Sequence, residues 1–484
     1  MRPDGIPAER VLAELAELRE RDLPTHGGRL FAYVYDPGLP GLDELTLAAH
    51  GAAASTNGLD PTAFPSLLAM ENDIVAAALS LLGGPVDGVG NVTSGGTESV
   101  LLAVKAARDA RPDVAAPRLV MPSTAHPAFA KAGAYLRVAV DPVPVDPATL
   151  RVPPDDVAAA IGPDTVLVVA SAPSYPHGIV DPVAEIASAA ASVGVRCHVD
   201  ACFGGWVLPF WRRLGVRGVP FDFSVPGVTS ISCDLHKYAY TPKGVSVLLH
   251  RDAALRAPQY FGYADWPGYG VVNATAASTR PGGPIAAAWA TLRHIGESGY
   301  LALAERSLAA VRGLAAAVGS VDGLCLLVDP PESSVVAFRS TDPGLDVFVL
   351  TDELAGRGWH VQPQMSSGGI GPTVHMTVTA AVAPRVAEFA AALGAAVAAA
   401  RERGPAAPPA PVMAVLGTLD PATLTPAVVA ELASSIGLDL SGRWPTGGTA
   451  VVNALLDAAP PPVRARLLVA VLDLMQRHQQ RGRE

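Results

Sequence analysis

The sequence predicts an α/β protein: a mostly parallel central sheet with helices on both faces, plus a smaller C-terminal α+β domain. Two patterns lead there. From about Phe64 onward, stretches with helical apolar spacing alternate with short runs rich in β-branched residues, the pattern of strand–helix–strand units. After Ala286 the helical stretches lengthen and the strand runs thin out. Size agrees, since 484 residues at roughly 150 per domain make about three domain-sized units. Half of the residues are hydrophobic and 17% are charged, which supplies a large core and argues against disorder.

Val11, Leu12, Leu15 and Leu18 recur at helical spacing with Glu and Arg between them. They predict a first helix with one buried stripe, packed on this chain or on a second copy. Gly27, Gly28, Pro37, Gly38, Pro40 and Gly41 then break the pattern, so residues 1–63 read as an N-terminal helix and arm. Residues 64–285 form the large domain. Its helices are Ser66 to Leu82, Glu98 to Ala110 and Val183 to Ser192. Its strands are Arg118 to Met121, Thr165 to Ala170, Val195 to Val199, Val228 to Ser232 and Val245 to Leu249.

Residues 286–404 form the smaller domain. Helices Ala286 to Ile295 and Leu301 to Val318 lead into strands Leu324 to Val328, Ser334 to Phe338, His360 to Gln362 and Val374 to Thr379. Pro384 to Ala400 closes it with a helix. A Pro/Ala-rich linker from Gly404 to Pro411 opens the tail, 405–484. The tail holds two helices, Pro426 to Ile436 and Pro462 to His478.

Composition narrows the function. Lys and Arg total 35 against 45 Asp and Glu, a net charge of −10, which argues against a nucleic-acid binder. The four cysteines show neither a CxxC pair nor metal-ligand spacing, as expected of reduced thiols in a cytoplasmic protein without a metal site. The charged N-terminus lacks the apolar core of a signal peptide. Phe389 to Ala400 is too short to span a bilayer before Arg401, so no membrane span is expected. Walker, GxSxG and HExxH motifs are absent.

Three segments carry chemistry. Asn91-Val-Thr-Ser94-Gly95-Gly96-Thr97-Glu-Ser99 enters an apolar-periodic helix. Its small residues expose unpaired N–H groups at the positive end of the helix dipole, a phosphate cradle; taken alone, it is also an ordinary N-capped helix. Asp200 ends the strand run His198-Val-Asp200-Ala-Cys202 and so points into the crevice where parallel sheets bind ligands, or else caps a helix. Lys237, in Asp234-Leu-His236-Lys237-Tyr, follows a strand among apolar residues. Burial there lowers a lysine's pKa and frees its amine for a Schiff base.

Cradle, strand-end Asp200 and Lys237, 37 residues later, together match what pyridoxal 5'-phosphate requires: an anion seat, a carboxylate to keep the ring nitrogen protonated, and an amine for the carbonyl. His126, in Ser123-Thr-Ala-His126-Pro, is the candidate to stack on the ring.

The segments NVTSGGTESVLLAVKAARD, STAHPAFAKA, SAPSYPHGIVDPV, HVDACFGGW, GVTSISCDLHKYAYTPKG and STRPGGPIAAAWATLRHIGESGY resemble the sphingosine-1-phosphate lyases, within the group II decarboxylase-like enzymes. The resemblance implies a fold-type-I homodimer with shared active sites. In it Thr279 would reach the partner's cofactor phosphate, His236 would lie beside the cofactor, and Tyr35 and Lys243 would face the substrate, Lys243 toward its phosphate. It implies retro-aldol cleavage of a β-hydroxy amine to release an aldehyde. Asp60 stands where the lyases carry a histidine, and a carboxylate repels a phosphate by about 1 kcal/mol at 4 Å in water, more in a partly buried site. The lyases' N-terminal membrane anchor has no counterpart in this chain, so the expectation is a soluble relative acting on a small-molecule amine. Amino-acid decarboxylation uses the same cofactor residues and stays open, with Arg280 as candidate partner of an α-carboxylate. A catalytically silent scaffold would not need Lys237, Asp200 and His126 together.

Overall fold

The computed structural model describes residues 4–435 and 448–477. The predicted ends at Ile436 and His478 lie outside them.

Seven strands build the main sheet: β1 (Val89–Thr93), β2 (Arg118–Pro122), β3 (Ala139–Val143), β4 (Thr165–Ser171), β5 (Arg196–Asp200), β6 (Val228–Asp234) and β7 (Ser246–His250), in the order β1-β7-β6-β5-β4-β2-β3. β2 through β6 pair in parallel, while β7 runs against both of its neighbours, β6 and β1. The C-terminal ends of β1, β4, β5 and β6 therefore share one edge, which places Thr93, Ser171, Asp200 and Asp234 together. β4 is buried at every position, as a strand covered on both faces must be.

A short hairpin, β8 (Phe261–Tyr263) with β9 (Val271–Asn273), precedes a second sheet. That sheet has four antiparallel strands: β10 (Leu324–Leu326), β11 (Val335–Ser340), β12 (Gln362–Gln364) and β13 (Thr373–Thr377), in the order β10-β11-β13-β12. Between the sheets runs the helix Gly282–Gly319. The two helices expected there meet at a break at Gly296 (φ 61°, ψ 175°), a backbone conformation that glycine adopts without strain.

Two expectations need correction, and a third is narrowed. The first helix, Ala8–Arg19, has no buried residue, and Val11, Leu12, Leu15 and Leu18 are about half exposed or more, so its stripe does not pack on this chain and a second copy is the alternative left. Amphipathic spacing identifies a face, not its partner. The linker is not unstructured throughout: Ala406 N–H donates to Asp346 Oδ2 (3.0 Å) and a helix starts at Ala410. The apolar run at Phe389 extends further than expected, since Ala380–Arg403 is continuous and by length and composition could cross a membrane. Phe389, Leu393, Ala396, Val397 and Ala400 instead pack into the core.

The tail contains helices Ala410–Leu416, Pro426–Ser435, Ala450–Ala458 and Pro461–Met475. Leu416, Leu424, Val429, Leu455, Val463 and Ala470 form a small core of their own.

Candidate active site

A cavity of about 430 Å³ opens at the C-terminal edge of the main sheet. β1 delivers the chain to Ser94 and Gly95, and the helix Gly96–Asp109 begins at once. Glu98, buried, accepts the Ser94 N–H (2.6 Å) and, across the chain, the Ala276 N–H (2.8 Å). Its carboxylate shapes the turn, while Ser94, Gly95, Gly96 and Thr97 form the cavity wall. Only glycine fits at position 96: a Cβ there would lie 2.7 Å from Cys202 Sγ and 2.9 Å from Asp234 Oδ1.

Asp200 closes β5. Its Oδ1 accepts the Cys202 N–H (3.1 Å) and the Ser232 hydroxyl (3.3 Å), which fix the carboxylate's orientation. One pleat back, His198 sits between Ser230 (2.8 Å) and Ser232 (3.2 Å), and burial pulls its pKa down to about 4. His126 Nδ1 accepts the Ala128 N–H (3.2 Å), so its ring is set with Nε2 as the protonated nitrogen when neutral.

Lys237 behaves differently from the simple burial argument. Desolvation does push its pKa down, and it is the largest single influence. Asp234, Tyr35, Cys202 and Asp200 together outweigh it and hold the ammonium well above the ordinary lysine range. Lys237 Nζ lies 3.0 Å from Asp234 Oδ2. Asp234 is 3% exposed, and despite burial its pKa is lowered by Lys237 and His236. Lys237 and Asp234 thus form a buried ion pair at the cavity wall. His236 donates Nδ1–H to the Val245 carbonyl (2.9 Å), and burial lowers its pKa.

Tyr35 and Lys243 complete the wall. Lys243 Nζ stands 4.9 Å from the centre of the Tyr35 ring, and burial with Lys237 nearby lowers its pKa to about 8. Burial raises the Tyr35 phenol far above its usual value.

Sequence reasoning missed Tyr175, Phe203 and Asp234 as members of this wall, although all three fall within segments it had singled out. Tyr175 stacks on His375 (4.3 Å between ring centres) and donates to Gln362 Oε1 (2.6 Å).

Two expected substrate residues, Arg280 and Asp60, do not line this cavity, and Thr279, expected to serve a partner's site, lies outside it as well. Arg280 is held by both oxygens of Glu71 (2.9 and 2.8 Å) and by the Val92 carbonyl (3.0 Å). A guanidinium so engaged is a structural brace and not a free carboxylate receptor. Asp60 is exposed and folds its carboxylate onto Thr62 (2.8 and 2.6 Å), which lowers its pKa. Thr279 is exposed outside the cavity of its own chain.

The donor set fits pyridoxal phosphate. A helix N-terminus would seat its anion, and the oriented carboxylate of Asp200 and the amine of Lys237 line the same cavity. The tight packing at Gly96 leaves the turn no room for a side chain. Fold and site define a fold-type-I pyridoxal-phosphate enzyme.

Residues 38–341 match the family model "Pyridoxal-dependent decarboxylase conserved domain", and the chain belongs to that family. Residues 409–474 match a second model, "Pyridoxal-dependent enzyme, C-terminal putative HTH domain". The chain is 38% identical over 359 residues to sphingosine-1-phosphate lyase 1 of Rattus norvegicus, covering 74% of this chain and 62% of that protein. It thus spans about three fifths of that relative's length. A solved sphingosine-1-phosphate lyase of Burkholderia pseudomallei superposes with a TM-score of 0.78 at 37% identity, covering 83% of this chain and 93% of the other. A "Probable L-aspartate decarboxylase" of Pyrococcus furiosus is 33% identical over 363 residues, 74% of this chain and 93% of the relative.

Proposed function

We propose that this chain is a pyridoxal-phosphate-dependent aldehyde lyase that cleaves the Cα–Cβ bond of a phosphorylated β-hydroxy amine. The observation that carries the reading is Lys243, a second ammonium in the cavity besides Lys237. The kinship with sphingosine-1-phosphate lyases supports it. The bound cofactor supplies the electron sink for the bond that breaks.

The chain's own residues do the rest. The turn Ser94–Thr97 seats the cofactor phosphate, and Asp200, oriented by Cys202 and Ser232, holds a proton on the ring nitrogen. His126 and His236, both in the cavity wall, would pack against the cofactor, His126 on the ring face. Lys237 would be the covalent anchor, and once the substrate amine has displaced it its Nζ, beside Asp234 (3.0 Å), would carry the proton returned to the substrate carbon. Lys243, with its cation over the Tyr35 ring, receives the substrate phosphate. Tyr175 lines the cavity and directs its own proton to Gln362, which leaves its oxygen to accept a hydrogen bond from the β-hydroxyl. Phe203 lines the cavity between the two tyrosines and excludes water.

A homodimer with shared sites belongs to the same proposal. Thr279 lies outside its own cavity and is free to serve a partner's cofactor phosphate, while Val11, Leu12, Leu15 and Leu18 offer an uncovered apolar face. The free thiols of Cys197, Cys202, Cys233 and Cys325 support a reducing, cytoplasmic setting.

Decarboxylation of an amino acid is the second reading, favoured by the Pyrococcus relative. The engagement of Arg280 by Glu71 weighs against it, because that guanidinium is not free for an α-carboxylate. The deciding test offers the purified holoprotein phosphorylated and unphosphorylated β-hydroxy amines, then a panel of amino acids, with Lys237→Ala as blank. Aldehyde release from the phosphorylated amine is expected. Carbon dioxide from an amino acid without aldehyde overturns the proposal.

A further inference from the structure

The tail reaches the active site through one short strand. β12 has three residues, lies at the edge of its sheet and contains Pro363, which donates no ladder hydrogen bond. Such a strand is weakly held by its pairing with β13 alone. Two glutamines flank the proline, Gln362 touching the wall residue Tyr175 and Gln364 its neighbour Pro176. Gln362 Oε1 accepts the Tyr175 hydroxyl (2.6 Å), and Gln364 Nε2 donates to the Pro176 carbonyl (3.0 Å). Gln362 also pairs in register with His375, the ring on which Tyr175 stacks. Tyr175 therefore takes its polar partner and its stacking partner from β12 and β13.

Just past β12 the chain turns back, with Ser367 and Ile370 exchanging backbone hydrogen bonds (3.0 and 2.9 Å). At the entry to that turn, Ser366 N–H and Oγ both donate to the carboxylate of Asp457 (2.5 and 2.9 Å). Asp457 lies in the last turn of the tail helix Ala450–Ala458. The start of that helix is clamped too: buried Asp352 accepts from Thr449 N, Thr449 Oγ1 and Ala450 N (2.9, 3.1 and 3.0 Å).

A carboxylate at a helix C-terminus faces the negative end of the dipole and weakens the helix. The position of Asp457 is explained by what it holds, not by the helix that carries it. The arginines of the following helix are likewise engaged by backbone: Arg464 bonds the Asp457 and Ala459 carbonyls and Arg466, exposed, the Pro421 carbonyl. The outer face of that helix instead exposes Leu468, Val469, Leu472 and Met475, which is not a phosphate-reading surface.

We propose that the C-terminal helical unit positions the active site: Asp457 fixes β12 through Ser366, and β12 holds Tyr175 with its oxygen left to accept from the substrate. This deepens the lyase reading and rests on it for the role of Tyr175, but the mechanical link is testable without any substrate. Asp457 and Gln362 are positioning residues.

The test uses the full-length holoenzyme as wild type, Asp457→Ala, Asp457→Asn and Gln362→Met. Hydrogen–deuterium exchange is read on peptides covering residues 362–371, 172–180 and 448–460. Asp457→Ala is expected to speed exchange about tenfold or more in the first two, the effect of losing a charge-assisted clamp. Asp457→Asn retains an acceptor for Ser366 N–H and should recover most of the protection. Gln362→Met should loosen 172–180 while leaving 448–460 unchanged, which keeps the link testable if Asp457→Ala misfolds. With a turned-over substrate, kcat should fall about tenfold in Asp457→Ala and return toward wild type in Asp457→Asn. Faster exchange confined to 448–460 in Asp457→Ala, with 172–180 unchanged, overturns the proposal. Failure of the lyase reading would appear only in the product assay, because the exchange pattern does not depend on which amine is cleaved.

Discussion

Replacing Gly96 with alanine should weaken cofactor binding well before it threatens the fold. The new Cβ would lie 2.7 Å from Cys202 Sγ and 2.9 and 3.1 Å from the two Asp234 oxygens. Ordinary contact begins at 3.4 Å, so the nearest contact is 0.7 Å short. Neither neighbour retreats easily. Cys202 is 8% exposed and Asp234 3%, and Asp234 is tied to Lys237 at 3.0 Å. The turn must move instead, and it can do so in the apoprotein, where the cavity gives it space. Bringing it back to seat a phosphate costs about 1–3 kcal/mol of overpacking, equivalent to about a 5- to 150-fold rise in Kd. Titrating apoprotein with pyridoxal phosphate and following visible absorbance measures this directly. Adding Cys202→Ala to Gly96→Ala removes the nearest clash and should recover part of the affinity. Unchanged affinity in Gly96→Ala would show that the phosphate does not sit at this turn.

Lys243 sets a pH dependence. Its pKa in the folded protein is lowered to about 8, so its cation is present below that pH and lost above it. Affinity for a phosphorylated amine should therefore fall as pH rises through about 8, and Lys243→Met should be weak and flat across that window; kcat/KM profiles distinguish the two. Glu71→Ala should destabilise the fold by about 3–5 kcal/mol, because Arg280, 18% exposed at its side chain, would lose the carboxylate that holds it and the Val92 N–H its acceptor. Denaturant unfolding measures this, and a change below about 1 kcal/mol would refute the brace.

Much of the site was legible because its chemistry is local. Ser94 to Thr97, Asp200 and Lys237 each combine a residue type with a place at a strand end or a helix start, and hydrophobic period alone sets those places. β4 was legible for a related reason: a strand covered on both faces is a near-continuous apolar run, here Val166 to Ala170. What could not be read is the choice of partner across long separations. Arg280 is free or engaged according to Glu71, 209 residues away; Tyr175 takes its direction from Gln362, 187 away.

The charge of Lys237 shows the division most clearly. Burial was inferable from its apolar neighbours, and burial alone lowers a lysine's pKa. The sign reverses because folding brings Asp234, Tyr35, Cys202 and Asp200 within electrostatic reach, and in a low-dielectric cavity those neighbours outweigh desolvation. The amphipathic first helix repeats the lesson at larger scale, since its pattern determines which face seeks cover but nothing local says what covers it. The sequence by itself determined the sheet, the cradle and the residue types at the site. Tertiary structure decided which of those residues are free to act, because hydrogen-bond partners and charge neighbours are chosen by packing between segments far apart in the chain.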